Sequence, residues 1–404
     1  LLRRMNMNRS ADYTLVRSTN QRLILDIIFQ RGPLSRAQLS RRLSLSKPAI
    51  SNNLKGLFTA GLLEETSLTR KTPKRGCVPT LIGFVPKSFY VATIDLNYQD
   101  PVFSICDISG TIIDSMPIRV APQVTDESLC AVMISALNVL LQAHSIPMEK
   151  LYRIAISSPG RFETKSLYPI FTKRVLAVFQ ADIVTKLSQA YGVPVILKND
   201  AHASLLGEMS NGVCSGEKNV LYFCCGMGFG SAIAIDGKIY EGNLFGAGAL
   251  GNFTDKQRLA EQKTIEDEIC IPGILQKLQS KMAAGEETCL QKKQAQALCF
   301  EDVIDAFLHG DPLVKGIMDE CVLEVACVVR NLALFLDIQY IVFGGEYLAF
   351  GSLFTDAINA LMNQVNLPTT VTQTSLGKFS GVSGLVTIAR NELFDEVCGN
   401  DKDE

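Results

Sequence analysis

The sequence predicts an α/β protein in two parts: a small basic helical module, then an acidic body of strands and helices. Three observations predict it. Residues 1–87 carry 16 Lys and Arg against 4 Asp and Glu, and the remainder carries 23 against 37, although the net charge is only −2. Inside the basic stretch, apolar residues recur at helical spacing in short runs. From Phe89 onward, strand-length apolar runs alternate with helical ones. With 404 residues, 47% of them hydrophobic, the chain can support two or three cored domains.

No apolar run reaches the roughly 18 residues of a membrane span. LLRRMNMNRS has no apolar stretch after its arginines to act as a secretory signal. Twelve cysteines without an export signal are expected to be reduced thiols of a cytoplasmic protein. Cys224 and Cys225 lie in an apolar run, where Cys behaves as a small hydrophobe. A basic module on an acidic body is an electrostatic footprint for nucleic acid.

The first predicted helix runs from Asn20 to Arg31, with Leu23, Ile24, Ile27 and Ile28 on one face and Gly32-Pro33 ending it. A second starts at Ser35, with Gln38 placed for a capping box and Leu34 and Leu39 for a hydrophobic staple, and ends near Leu43. Ser46 suits the N-cap of a third, whose early Pro48 is tolerated in a first turn. Ile50, Leu54, Leu57 and Phe58 would face inward, Ser51, Asn52 and Lys55 outward, and Gly61 would terminate it. Two short helices joined by a tight turn, the second polar and basic at its start, form a helix-turn-helix, with an ordinary three-helix bundle as the bland alternative. Asn can read adenine in the major groove, while Lys and Ser reach guanine or phosphate. Expected DNA contacts are Ser35, Arg36, Ser46, Lys47, Ala49, Ser51, Asn52 and Lys55.

Leu62–Thr66 and Val78–Phe84 are predicted strands flanking a basic tip with Arg70, Lys71, Lys74 and Arg75. This hairpin is the wing of a winged helix, suited to phosphate or minor-groove contact. A solvated linker, or a hinge into the body, is the competing reading.

In the body, Phe89–Leu96, Val102–Asp107 and Thr111–Ser115 are expected to form an antiparallel meander, followed by a helix at 126–143. Then come a strand (152–158), a helix (181–191), a strand (194–197) and a helix (201–209). A second series opens with strands at 220–225, 231–235 and 238–241, continues with long helices at 264–283 and 312–336, and ends on a strand at 340–343. Two units that each open on a meander and close with helices suggest a duplicated actin-like (ribonuclease-H-like) fold. The expected domains are 1–84, 85–200 completed by a C-terminal helix at 381–396, and 201–380.

Several segments carry a family resemblance: LSRAQLSRRLSLSKPAISNNLKGL, KRGCVP, SSPG at 157–160, KNDAHASLLGE at 198–208, CGMGFGSAIAIDGKIYEGNLFGAGALGN at 225–252 and DIQYIVFGGE at 337–346. Taken together they make the chain resemble the regulator branch of the ROK family (repressors, open reading frames and kinases), from about residue 17 to about residue 394. The resemblance implies a winged helix-turn-helix joined to a sugar-kinase fold. It also allows the kinase parts to be compared one by one.

The family's first phosphate loop, D-x-G-G-T, falls on Asp95-Leu96-Asn97-Tyr98-Gln99. Both glycines, which let amides approach phosphates, are replaced. The second loop keeps Gly226, Gly228 and Gly230, with Met227 where the family has threonine. Those glycines serve either phosphates or a tight turn. The family's N-D pair falls on Asn199-Asp200, where the aspartate is the kinase base. Here Asp200 would contact a ligand or merely cap a helix. The sugar and zinc motif G-E-x-G-H reads Gly248-Ala249-Leu250-Gly251-Asn252, and no cysteine occurs from Phe253 to Ile269. Amides are poor zinc ligands, so neither zinc nor any other cofactor is expected.

The expected protein is therefore a regulator, more specifically a repressor, of carbohydrate-related genes with a non-catalytic body. Its partners would be a double-stranded DNA operator and a sugar or sugar-phosphate effector at Ser158, Gly160, Asn199 and Asp200, and it would form a homodimer or homotetramer away from membranes. The rival readings are a body that only docks proteins or dimerises, and a bifunctional sugar kinase.

Overall fold

The computed structural model describes residues 2–66, 80–96, 101–117, 126–160, 183–243, 246–294, 297–366 and 368–399. The module contains α1 (Leu2–Arg31), β1 (Leu34–Ser35), α2 (Arg36–Leu43), α3 (Lys47–Thr59), β2 (Leu63–Thr66) and β3 (Leu81–Phe84). α1 starts far ahead of Asn20, because the preceding stretch has no apolar stripe for periodicity to detect. The Ser35/Gln38 capping box forms, Ser46 caps α3 by accepting from the Ala49 N–H, and Gly61 adopts a left-handed φ of 72°. β3 lies between β1 and β2, pairing Leu34 with Ile82 and Leu63 with Phe84, so the strands that frame the wing are in place. The basic tip itself, Arg70 to Arg75, lies outside the described residues.

The body has two lobes. The first contains β4 (Tyr90–Asp95), β5 (Val102–Asp107), β6 (Ile112–Pro117), α4 (Asp126–Ala143), β7 (Leu151–Ser158), α5 (Ile183–Tyr191) and β8 (Val195–Asn199). α6 (Asp200–Asn211) follows. The second lobe contains β9 (Val220–Cys225), β10 (Phe229–Ile235), β11 (Lys238–Ile239), α7 (Lys256–Ala260), α8 (Glu266–Ile269), α9 (Ile271–Ala283), α10 (Phe300–Leu308), α11 (Pro312–Leu336), β12 (Tyr340–Gly344), α12 (Leu353–Asn363) and β13 (Thr370–Gln373). α13 (Ser380–Cys398) closes the chain.

The sheets run β6-β5-β4-β7-β8 and β11-β10-β9-β12-β13. Numbered within each lobe, both orders are third-second-first-fourth-fifth. In both, the first strand pairs antiparallel with the second and parallel with the fourth. This repeated topology is the duplication that periodicity alone could not establish. Several elements go beyond the sequence reading: β1 in the module and, in the body, α7, α10, α12 and β13, the last parallel to β12. The single helix expected at 264–283 is broken at Cys270, which is extended (φ −83°, ψ 163°). Pro272 then sits in the first turn of α9, where its missing N–H costs no hydrogen bond.

α6 and α13 pack against each other at glycine contacts. A Cβ on Gly384 would come within 1.8 Å of the Ala203 carbonyl oxygen, and one on Gly207 within 2.0 Å of that of Ser380. Beside them Glu208, fully buried, accepts from the N–H groups of Val213 (2.9 Å) and Leu376 (3.0 Å) and from the Thr374 and Ser380 hydroxyls. Burial pushes its pKa up, but these donors outweigh burial and hold the carboxyl below its usual range.

The module and the first lobe share one hydrophobic core. Ile24, Ile28, Leu54 and Ile82 of the module belong to the same cluster as Val91, Val386, Leu393 and Phe394 of the body. At the seam, Phe29 of α1, Phe84 of β3 and Phe394 of α13 meet edge to face, with centroids 5.3, 5.8 and 6.2 Å apart. Buried Arg390 lies over the Phe29 ring at 4.2 Å, and burial lowers its pKa to about 10, so it stays charged at neutral pH. Arg22 binds Asp395 at 2.7 Å and the Asn391 amide oxygen at 2.9 Å. β3 therefore ends the three-stranded sheet at Phe84, while the packing continues across the seam into the body.

Candidate DNA interface and effector cleft

α3 buries Ile50, Leu54 and Leu57 and turns Lys47, Asn52 and Lys55 to solvent; Ala49 and Ser51 are half-buried. Ser46 is exposed, but its hydroxyl is engaged as the cap. Arg36 pairs with Glu65 of β2 at 2.5 Å, tying the start of α2 to the wing frame. Ser35 is buried and its hydroxyl lies 3.0 Å from the Gln38 side-chain oxygen. Its position is that of a helix cap, and it presents no free face for DNA. Arg41 and Arg42 are exposed at the end of α2, just before α3, and sequence reasoning passed over them. Basic residues in a last helical turn have an ordinary reading, complementing the helix dipole.

The cleft between the lobes holds a cavity of about 250 Å³. Gly160 and Asn199 reach it from the first lobe, Asp200 from the start of α6, and the β9–β10 turn, the 246–252 loop, Glu266 and Glu346 from the second. Asn199 caps α6 by accepting from the His202 N–H at 3.0 Å, and its amide donates to the Gly160 carbonyl at 2.8 Å. It thus pins the 160 loop to the helix. Asp200 is buried and accepts from the Ala201 N–H at 2.8 Å. Burial raises its pKa to about 6, despite hydrogen bonds that pull it down. His202, also buried, has its Nε2 3.2 Å from the Ala247 carbonyl, and burial lowers its pKa.

Ser158 does not line this cavity. It is 1% exposed and its hydroxyl turns to the Pro159 carbonyl at 3.3 Å, while Pro159 takes its place on the wall. Asp95 is fully buried, accepts from the Ser157 hydroxyl at 2.8 Å and abuts Gly381, where a Cβ would come within 2.4 Å of its carboxylate. Asn97 and Tyr98, in the first phosphate loop, lie outside the described residues.

Sequence reasoning missed two cleft carboxylates. Glu266 lies in a stretch notable only for lacking cysteines, against Gly251, where a Cβ would come within 2.1 Å of its carboxylate. Glu346 directly follows Gly344-Gly345, and the Met227 N–H donates to it at 3.3 Å. The residues present do not fit the zinc site that the family resemblance brings to mind. Asn252 offers only an amide, and no group of three His, Cys, Asp or Glu suited to a metal occurs among the described residues. The eleven described cysteines are free thiols; Cys289, Cys299 and Cys327 are exposed rather than in the core. No helix among the described residues is long and apolar enough to cross a membrane.

Together, fold and cleft define a winged helix-turn-helix protein with a sugar-kinase-like body. Residues 92–392 match the ROK family, and the chain belongs to it. It is 26% identical over 247 residues to the xylose repressor of Bacillus subtilis (strain 168), a match covering 60% of this chain and 62% of that protein. It is 20% identical over 366 residues to the DNA-binding transcriptional repressor Mlc of Escherichia coli (strain K12), covering 89% of each. A crystal structure of a ROK family transcriptional regulator, a homologue of the E. coli Mlc protein, superposes with a TM-score of 0.79 at 19% identity, over 95% of this chain and 98% of that one.

Proposed function

We propose that this chain is a sugar-responsive transcriptional repressor that binds a double-stranded DNA operator and does not phosphorylate its ligand. The observation that carries the reading is the outward Lys47–Asn52–Lys55 face of α3 on a module whose core continues into the lobe bordering the cleft. A ligand changes DNA affinity only if it binds two conformations of the body unequally. Cleft closure around a sugar supplies that difference, and the shared core carries the first lobe's movement to α3. Assembly as a homodimer or homotetramer would match a two-fold operator with half-sites a whole number of turns apart. The kinase reading is disfavoured by Asn97-Tyr98 in place of glycines and by Ala249 in place of the family's sugar-binding glutamate.

In-vitro selection of binding sites, followed by titration of the selected operator and a scrambled duplex, tests this. Asn52→Ala is expected to weaken operator binding by about 1–3 kcal/mol while leaving scrambled DNA nearly unchanged. Joint replacement of Lys74 and Arg75 by alanine is expected to weaken both duplexes and reduce the salt slope by about 2. Equal losses on both duplexes for Asn52→Ala would remove it from base reading. Failure of the full chain to bind any duplex at low ionic strength would end the proposal.

A further inference from the structure

We infer that the Lys198–Glu241 ion pair is a latch at the edge of the cleft, holding the two lobes together and positioning the second-lobe wall of the cavity. That the enclosed ligand is a sugar effector rests on the proposal above; the latch itself rests on geometry.

Lys198 lies near the end of β8, paired with Ser157 of β7 in the first sheet. Glu241 follows β11, an edge strand of the second sheet. Their side chains meet at 3.2 Å, so the bond runs from one lobe to the other. Lys198 directly precedes Asn199, which lines the cavity. The Glu241 carbonyl accepts from the Ala247 N–H at 3.2 Å, and Ala247 lines the cavity from the other side. The pair thus stands one residue from the first-lobe wall and one hydrogen bond from the second-lobe wall.

A second link runs beside it. His202, near the start of α6, has its Nε2 3.2 Å from the Ala247 carbonyl. A carbonyl only accepts, so this nitrogen carries the proton. The next residue, Gly248, is held by its own lobe, its carbonyl accepting from the Ser231 N–H at 3.1 Å and the Ser231 hydroxyl at 2.9 Å. The cavity wall is therefore fixed to β10 at Gly248 and to the opposite side through Glu241 and Ala247.

The latch also has leverage. The chain passes between the lobes through α6 and again through the segment joining β13 to α13. Glu208, toward the end of α6, binds Thr374, Leu376 and Ser380 of that segment and ties the two crossings into a joint. Lys198 lies ten residues before Glu208, roughly 15 Å away at the rise of a helix. A rotation of about 10° at the joint therefore moves the latch end by roughly 2–3 Å, enough to part a contact of 3.2 Å. The two side chains are 27% and 34% exposed. A partly solvated pair adds little to folding. It is strong enough to bias a hinge between two positions and weak enough to release it.

The test is hydrogen exchange on the full chain, for the native protein, K198E, E241K and K198E/E241K, alongside calorimetric titration with D-xylose and D-glucose. A single reversal loses an attraction and adds a repulsion. Residues 246–252 should therefore exchange about threefold faster, or more, in each single variant. The double variant rebuilds the pair in the opposite sense and should return to within about twofold of native. Added salt should speed exchange of this segment in the native protein and slow it in the single variants. E241Q, which removes one charge and keeps the shape, replaces E241K should the reversal misfold, with the same direction expected. Single variants that exchange as slowly as the native protein, or a double variant as fast as the singles, would overturn the inference. A sugar that binds the native protein should bind each single variant about threefold more weakly and the double variant nearly as well as native; equal affinity across all four would remove the latch from ligand binding. If neither sugar binds the native protein, that counts against the effector reading, while the exchange result alone still decides the latch.

Discussion

Replacing Phe394 with alanine is expected to lower folding stability by about 3–5 kcal/mol and to abolish operator binding. The ring is 1% exposed and lies at the junction of Phe29, Phe84 and the Arg22 guanidinium, whose carbon is 5.3 Å from the ring centroid. Its loss opens a void where module and body meet, and the lining cannot collapse without moving α1 against α13. The core of the second lobe, built around Phe223, Phe343, Phe354 and Tyr347, is separate. Hydrogen exchange should therefore rise in α1, β3 and α13 while that core keeps its protection. Chemical denaturation and exchange on the same variant check both parts. A variant with native stability and unchanged operator affinity would show that the seam does not hold the module.

Asp200→Asn is expected to act in the opposite direction on stability. Burial lifts the Asp200 pKa from 3.8 to about 6. A folded-state value above the unfolded one means that the protonated form favours folding. That contribution is complete below about pH 4 and is lost as pH rises through about 6. At pH 7.5 the ionised carboxylate therefore costs about 3 kcal/mol, at roughly 1.4 kcal/mol per pKa unit. Asparagine keeps an acceptor for the Ala201 N–H and carries no charge, so the variant should be more stable than the native protein at pH 7.5 and about equal near pH 4. Its affinity for an uncharged sugar should fall, because an amide is the weaker acceptor for a hydroxyl. Denaturation at the two pH values decides, and equal stability at pH 7.5 would show that Asp200 is not ionised against its surroundings.

The legible parts of the sequence were those written in local patterns. The Ser35/Gln38 capping box, the Ser46 cap and Gly61 announced α2 and α3 because each involves residues only a few positions apart. The strands at 220–225 and 340–343 were visible as apolar runs. The start of α1 was not, because no apolar stripe marks it. β13 was missed because its Thr370–Gln373 run is polar and little buried, and it is a strand only because β12 lies alongside. In the cleft, Asn199-Asp200 could be found because the contiguous pair falls on the N-D motif of the family that the chain resembles. Glu266 and Glu346 could not, since each acts across a long sequence separation on a glycine elsewhere. Ser158 was misplaced for the same reason: strand alternation does not say which of two neighbours, Ser158 or Pro159, lines a cavity.

The continuous core between module and body limits how such a reading head can be exchanged. A graft that transplants residues 1–84 onto another body would carry Phe29 and Phe84 but leave behind Phe394, Arg390 and Asp395. The head would arrive without its socket. Changing the DNA specificity of this chain by recombination would therefore require moving the module-facing side of the last helix along with the first 84 residues. Changing it by substitution on the exposed side of α3 would leave the joint untouched.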